Sequence, residues 1–306
     1  MQRILEPGRI GADSPRAVPR LVLPDRARLF AARAARLESL AARDPLGGYL
    51  RLACAIARAQ HAAAGVSNVA PPAAEARAAA RAHGMPPLPA RGLARDGAWR
   101  AALGRIAAEL AAAPGFPAAV AGVATRLAAA PAAELEAHAD RLLAADGHDA
   151  DPAAAPFVMA ALQVYWCALA SGLAPGEVAL TEHAGTCPVC GTLPVASVVR
   201  AGAPYAGHRY LHCGLCASEW HRVRVECTQC GATRGIAYQS IEGGPPAIRA
   251  ETCDGCHAYR KIFYEEHDPA LEPLADDLAS VALDLLLTEA GFHRASANPL
   301  LWQPGR

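Results

Sequence analysis

The sequence lacks the features that mark nucleic-acid-binding, secreted and membrane-spanning proteins. Basic and acidic residues balance at 29 each, and lysine occurs once, as Lys261. A chain of zero net charge is not expected to bind nucleic acid through bulk electrostatics. The first ten residues, MQRILEPGRI, contain no apolar signal-peptide core, and no run reaches the roughly 18 apolar residues of a membrane span. We therefore expect a cytoplasmic protein without stable membrane insertion.

Familiar catalytic motifs are also missing. The chain contains no glycine-rich phosphate loop, no Gly-x-Ser-x-Gly elbow and no His-Glu-x-x-His motif. We predict that the protein is not an enzyme.

Residues 1–180 are rich in Ala, Leu and Arg, and Pro and Gly separate the helix-forming runs. This composition predicts an all-α helical bundle. The most apolar run, Pro156–Gly172, is interrupted by Gln163 and predicts a buried core helix. Helices are predicted after Pro24, around Tyr49, and over Ala98–Ala113, Pro117–Ala130, Ala132–Ala145 and Phe157–Ser171.

Residues 266–306 predict a C-terminal helix that packs on the rest of the protein. Pro273 suits its first turn, and Asp276 and Asp277 lie near its positive end. We expect the acidic face to be solvated. The expected apolar stripe consists of Leu271, Leu274, Leu278, Val281, Leu285 and Leu286.

Cysteines are the most informative residues. Eight of the ten form four Cys-x-x-Cys pairs, and adding 40 to the positions of the first two pairs gives the positions of the last two. Gly191 likewise maps onto Gly231, and Arg209 onto Arg249. This register indicates an internal duplication of one module. The glycine that follows the first and third pairs suits a tight turn that requires positive φ.

Each module contains two Cys-x-x-Cys turns separated by strand-like runs. These runs cover Pro194–Arg200 and Arg209–His212 in the first module, and Gly235–Ile241 and Ile248–Glu251 in the second. Such units are typical of zinc ribbons and rubredoxins. The predicted fold class is therefore α+β, with a helical domain (1–180), two tandem metal modules (181–224 and 225–265) and a C-terminal helix (266–306).

In a reducing compartment, paired cysteines favour metal binding over disulfides or a thioredoxin-like site, and no βαβ pattern flanks them. Pairing within each module is favoured over pairing across modules because the repeat is regular. The spacing does not distinguish zinc from iron, nor a structural staple from a redox site. The candidate ligands are Cys187, Cys190, Cys213 and Cys216 for site one, and Cys227, Cys230, Cys253 and Cys256 for site two.

The sequence gives weaker evidence of a function for the remaining Trp, Arg, Cys and His residues. Trp220, His221, Arg222 and Arg224 form a segment between the modules, which we interpret as a linker or partner contact rather than a nucleic-acid platform. Isolated cysteines, Cys54 and Cys167, are expected to be buried and inert. Histidines cluster near the pairs but are not needed as ligands: His183, His208, His212, His221 and His257.

The sequence resembles the formate dehydrogenase accessory protein family, FdhE. The resemblance is dense over residues 185–301 and looser before them. It is carried by TCPVCGTLPVASVV, by RYLHCGLCASEWHRVRVECTQCG, and by EP-ADDLAS-ALDLL near the end, with all eight cysteines in place.

The resemblance implies a cytoplasmic assembly chaperone required for active respiratory formate dehydrogenase. It implies binding of the catalytic subunit of that enzyme before its export by the twin-arginine pathway. It also implies that the eight paired cysteines hold two metal ions per chain, with rubredoxin-type iron favoured and zinc as a common substitute.

Three hypotheses therefore stand. The first is a client-binding chaperone with two tetrathiolate metals. The second is a rubredoxin-like electron carrier, which requires iron and a reversible potential. The third is a zinc-ribbon nucleic-acid-binding protein, against which the charge balance counts. The sequence gives no oligomeric state.

Overall fold

The structure is a computed structural model that describes residues 18–42, 44–144, 150–180 and 185–301. Within these ranges the predicted helices are present, and one short helix, α3, is an addition that the sequence pattern did not reveal. The helices before residue 181 are α1 (Leu29–Ala41), α2 (Gly47–Val66), α3 (Ala74–Ala82), α4 (Ala98–Ala112), α5 (Ala118–Ala129), α6 (Ala132–Leu143) and α7 (Ala155–Ser171).

Helix α7 is the centre of the helical bundle. Every residue from Ala155 to Ala170 is buried, and α2, α4 and α6 pack around the helix. The apolar run therefore forms the core helix that its composition predicts. Gln163 is buried in the same helix, so its amide needs partners inside the protein.

Helices α1 and α2 form an antiparallel pair joined by a tight connection. A Cβ atom at Gly47 would lie 2.6 Å from the carbonyl oxygen of Ala41. Only glycine allows α2 to begin this close to the last turn of α1.

The strands form one mixed sheet. Its order is β1-β4-β3-β2-β7-β6-β5, and β8 pairs with β7 beside β2. The strands are β1 (Leu21–Val22), β2 (Pro194–Val199), β3 (Arg209–Cys213), β4 (Glu219–Arg222), β5 (Ile236–Gln239), β6 (Ile248–Cys253), β7 (Ala258–Tyr264) and β8 (His293–Arg294).

The sheet consists of two three-stranded modules joined head to tail. Strands β2, β3 and β4 are antiparallel neighbours in the first module, as are β5, β6 and β7 in the second. The modules meet through β2 and β7, which run parallel with Ser197 opposite Ile262. The first strand of one module therefore pairs with the last strand of the other, and β1 covers the free side of β4.

The α+β fold class is confirmed, but the C-terminal region contains two short helices, α8 (Pro273–Leu278) and α9 (Val281–Glu289). The break between them changes which side chains face inward. Leu283 and Leu287 are buried, whereas Leu285 and Leu286 are at least half exposed, so the predicted stripe is wrong at those two positions.

The expectation of a solvated acidic face is also wrong. Asp276 and Asp277 are buried. Asp276 pairs with Arg36 of α1, and Asp277 pairs with Arg294 and with Lys261 of β7. Burial alone would raise the pKa of Asp277, but Arg294 and Lys261 outweigh it and lower that pKa. These carboxylates fasten α8 to the bundle on one side and to the sheet on the other.

Candidate metal centres

The first half of site one is a tight turn built from Cys187 to Cys190. The amide of Gly191 donates to the carbonyl oxygen of Cys187 at 2.8 Å, and the amide of Cys187 donates to the carbonyl oxygen of Thr192 at 2.7 Å. Gly191 has φ +78°, which glycine adopts without strain. The turn places both cysteine side chains on one side of the backbone.

The second half of site one begins where β3 ends, at Cys213. The amides of Leu215 and Cys216 each lie 3.4 Å from the Cys213 sulfur and donate to it. Ala217 closes the turn with φ +58°, and its amide donates to the Cys213 carbonyl oxygen at 3.2 Å. Backbone N–H groups aimed at a sulfur stabilise its thiolate form.

The four sulfur atoms of site one converge in a buried space. Cys187 and Cys216 are 3.6 Å apart, Cys190 and Cys213 are 3.4 Å apart, and all four lie within 4.8 Å of one another. Four thiolates at about 2.3 Å from a tetrahedral ion would be roughly 3.8 Å apart, so the arrangement fits such an ion.

Burial and the neighbouring thiols raise the pKa of Cys187 and of Cys216 well above the ordinary value. Four thiolates cannot share this enclosed space unless a cation offsets their charge.

Site two repeats the same local geometry. The amide of Gly231 donates to the Cys227 carbonyl oxygen at 2.8 Å with φ +76°, and His257, which corresponds to Ala217, has φ +53°. The sulfurs of Cys227 and Cys256 are 3.7 Å apart, as are those of Cys230 and Cys253. All four also lie within 4.8 Å of one another. The pairing that the structure brings together is therefore the one within each module.

The two sites differ in their exposure. All four cysteines of site one are buried, whereas in site two Cys230 is exposed and Cys227 and Cys256 are half-buried. The pKa of Cys230 is lowered, chiefly because the backbone amide of Ala232 donates to its sulfur. Site two therefore has a solvent-facing side that site one lacks.

The donor set of each site suits a soft, tetrahedral metal ion. Four thiolates are the ligands of both structural zinc and rubredoxin-type iron, so the donors do not decide between them. Four protein ligands also leave no open coordination position for a substrate. Among the described residues no further group of three or more Cys, His, Asp or Glu side chains converges in this way.

The helical bundle holds the turns of site one directly. The amides of Leu88 and Ala90 donate to the carbonyl oxygens of Val189 and Cys190 at 3.0 and 2.8 Å. The side-chain amide of Gln163, in α7, donates to the carbonyl oxygen of Gly214 at 2.6 Å. Both turns of site one are therefore hydrogen-bonded to the bundle.

Gln163 connects site one to a buried polar network that the sequence did not predict. Its Oε1 accepts from Nε2 of Gln60 at 2.8 Å and from Nη1 of Arg33 at 3.4 Å. Arg33 in turn forms a buried ion pair with Glu272 at 3.0 Å. The only sequence signal was a glutamine in an otherwise apolar helix.

Arg260, in β7, links the second module to its surroundings. Its Nε donates to Oγ1 of Thr228, inside the first turn of site two, at 3.2 Å. Its Nη1 donates to the hydroxyl of Ser296 at 2.8 Å and to the carbonyl oxygen of Pro194 in the first module. Burial lowers the pKa of Arg260 to about 10, which leaves it charged at neutral pH.

The described histidines belong to the surroundings of the sites. His208 and His221 contact each other at 3.3 Å, and His212 pairs with Glu219 at 2.8 Å. His183 lies outside the described residues. Trp220 is buried in β4, which also contains His221 and Arg222, whereas Arg224 follows the end of this strand.

The two isolated cysteines are buried, as expected. Burial raises the pKa of Cys54 above its ordinary value and that of Cys167 to about 12, so both remain protonated thiols at neutral pH. A protonated, buried thiol is a poor nucleophile and a poor metal ligand.

Comparison with known proteins shows that models of one family match nearly the whole chain. The models for the N-terminal, central and C-terminal domains of FdhE match residues 18–182, 186–224 and 225–301. A protein FdhE homolog of Cronobacter sakazakii is 44% identical over 290 residues, which cover 94% of this chain and 92% of that protein. Protein FdhE of Escherichia coli (strain K12) is 40% identical over 308 residues, or 99% and 98%.

A solved structure agrees with these relatives. The crystal structure of the FdhE protein from Pseudomonas aeruginosa superimposes with a TM-score of 0.85 at 42% identity, covering 94% of this chain and all of that one. In the part of the chain that is described, no helix combines the length and apolar character that crossing a membrane requires.

Proposed function

This chain belongs to the FdhE family, and on that premise we propose that it is a cytoplasmic accessory protein required for active respiratory formate dehydrogenase. It binds the catalytic subunit of that enzyme before twin-arginine export, and it is not itself an enzyme. The observation that carries the proposal is the presence of two convergent four-cysteine groups in a chain that matches FdhE over nearly its full length.

The eight cysteines are proposed as the ligands of two metal ions per chain. Support comes from the approach of four sulfurs in each module and from the burial of site one, where thiolates need a cation. Iron is favoured because the family resemblance links these pairs to rubredoxin-type iron, and zinc is the substitute.

We propose that the four regions predicted from the sequence correspond to a body and two metal modules. Residues 1–180 and 266–306 form the body, and residues 181–224 and 225–265 form the two metal modules. The hydrogen bonds of Gln163 to Gly214 and of Arg260 to Ser296 support a body that holds the metal modules in fixed positions.

A second candidate, a rubredoxin-like electron carrier, is favoured by one observation. Cys230 is exposed, so an iron ion at site two would lie close enough to solvent for electron transfer to a docked partner. This function requires iron and a reversible potential, and protein that is active with zinc alone would exclude it. The nucleic-acid hypothesis loses its stacking residue, because Trp220 is buried.

The test is a pull-down under anaerobic conditions. Tagged protein is mixed with the catalytic subunit of formate dehydrogenase, and metal is assayed on the same sample. We expect specific retention of the subunit, with an unrelated twin-arginine substrate as the control that is not retained. Absence of retention by protein with both sites filled would contradict the proposal.

A further inference from the structure

The internal duplication provides two cysteine sites with one backbone geometry and different surroundings. Residues 40 apart occupy equivalent positions, so each neighbour of site one can be compared with its counterpart at site two. Differences between the sites therefore come from side chains around the sulfurs and from what packs on them.

Hydroxyl groups contact the sulfurs of site one. Oγ1 of Thr192 lies 3.2 Å from the sulfurs of Cys190 and Cys213, and Oγ of Ser218 lies 3.3 Å from the sulfur of Cys216. The positions equivalent to these hydroxyl residues hold Ala232 and Ala258, which have no hydroxyl group. Ala232 and Ala258 therefore cannot donate the side-chain hydrogen bonds with which Thr192 and Ser218 hold the thiolates of site one in place.

The turns of the two sites also carry different middle residues. Val189 and Leu215 of site one are buried, whereas their counterparts Gln229 and Gly255 are exposed. In site one, the apolar side chains of Val189 and Leu215 exclude water from these turns. Gln229 and Gly255 leave the corresponding turns of site two open to water. An incoming ligand can therefore approach the Cys230 side of site two from solvent.

The hydrogen bonds that hold the cysteine turns also differ between the two sites. Bundle residues hydrogen-bond both turns of site one, through Leu88, Ala90 and Gln163. At site two, the turn that contains Thr228 is held through Arg260. The other turn is held by the amide of Asp254, which donates to the carbonyl oxygen of Gly235 at 2.9 Å, and by the amide of His293, which donates to the carbonyl oxygen of His257 at 2.8 Å. Gly235 and His293 are exposed, so these two hydrogen bonds face solvent. Local opening therefore costs less free energy at site two than at site one.

We propose that site two is an exchange site for a soft divalent metal ion, whereas site one exchanges its ion much more slowly. The entering ligand is a thiolate of a partner or a chelator, and the first protein ligand displaced is the exposed Cys230. The displaced thiolate takes up a proton, and no electron moves. This inference rests on the ligand assignment of the proposed function and adds that the duplicated modules have different tasks.

The experiment uses the full chain loaded with two equivalents of Zn²⁺ and challenged with the chromogenic chelator pyridylazoresorcinol. We expect release in two phases of equal amplitude that differ in rate by about tenfold or more, the factor that one hydrogen bond of stabilisation can produce. Cys230→Ser should lose the fast phase and keep the slow one.

A matched pair of variants tests the cause. Ala232→Thr restores the hydroxyl that site one has at Thr192 and should slow the fast phase several-fold. Ala232→Val, which has the same shape without the hydroxyl, should slow it less. Neither variant changes a cysteine, so both keep two equivalents of metal.

The outcomes separate the inference from its premise. Two equivalents that leave in a single phase, or a fast phase that survives in Cys230→Ser, would overturn the exchange site and leave the accessory function standing. Fewer than two equivalents bound at the start would contradict the ligand assignment itself.

Discussion

The first and second modules have the same turns, similar sulfur separations and the same strand order, yet site one is enclosed by the protein and site two faces solvent. The turn hydrogen bonds repeat at residues 40 apart, from Gly191 to Gly231. What does not repeat is the contact with the helical bundle, since Gln163 and the connection between α3 and α4 that contains Leu88 contact the first module. Ligand geometry is thus encoded within about ten residues of each cysteine, whereas the protection of a site depends on distant residues.

The largest effect that tests this comparison is expected from removal of one ligand in each module. Cys190→Ser and Cys230→Ser should each lose about one metal ion per chain. Cys190→Ser should also lower the free energy of unfolding by about 5 kcal/mol or more, because binding of a structural metal supplies folding energy on the order of 10 kcal/mol. Cys230→Ser should cost less than half as much, since its module is less enclosed. Metal analysis and urea denaturation followed by circular dichroism measure both quantities.

Cys54→Ser is the control for these two variants. Cys54 is buried in α2 and its sulfur contacts the carbonyl oxygen of Ala34. Metal content should stay at the wild-type level. Equal destabilisation by Cys190→Ser and Cys230→Ser would show that enclosure by the bundle contributes nothing to site one.

The next largest effect is expected from Gln163→Met, which removes one of the bundle's hydrogen bonds to the first module while keeping the volume of the side chain. The carbonyl oxygen of Gly214 and the amide of Gln60 would lose a buried partner, at a combined cost of about 4 kcal/mol. Chelator-driven metal release should accelerate at site one and stay unchanged at site two. Acceleration at both sites would mean that the modules are coupled, which the comparison does not predict.

The smallest effect concerns an ion cluster in the first module whose counterpart in the second module is uncharged. Glu219 pairs with Arg200 and His212, and the equivalent position is Tyr259. Burial raises the pKa of Glu219, but the charge of Arg200 and the hydrogen bond with His212 outweigh burial and lower it to about 2. The carboxylate is thus more acidic in the folded chain than in the unfolded one, so its stabilisation is present above about pH 5 and is lost as the pH falls toward 2.

Glu219→Gln should therefore lower the free energy of unfolding at pH 7 by at most about 3 kcal/mol, the equivalent of the pKa difference. The gap between variant and wild type should close as the pH falls. Urea denaturation at a series of pH values between 7 and 3 measures that gap. A gap that stays constant across the series would contradict the ion-pair account.

The sequence predicted the cysteine groups and the helices well because both are local patterns. The 40-residue repeat favoured the pairing within modules, and α7 was visible as an apolar run. Strand β7 was not predicted, because all its residues are buried and Arg260 and Lys261 interrupt any alternation. The buried charges of this strand are stabilised by residues outside it. Lys261 pairs with Asp277, and Arg260 donates a hydrogen bond to Ser296.

The contacts that distinguish the two sites were beyond sequence reasoning for a related reason. Arg33 and Glu272 are separated by 239 residues, and Gln163 and Gly214 by 51. No spacing rule connects such positions. The break between α8 and α9 was also not predicted, and Leu285 and Leu286 beyond it are exposed rather than buried.

The parallel pairing of β2 with β7 means that the modules are related by a translation along the sheet rather than by a two-fold axis. A translation can be repeated without limit, because each added module would again leave an unpaired edge strand to which a further module could pair. The edge of β4 is where the first strand of a further unit would pair, and the two residues of β1 occupy it. A segment as short as Leu21–Val22 thus terminates, at that end, an array that the geometry would otherwise allow to grow.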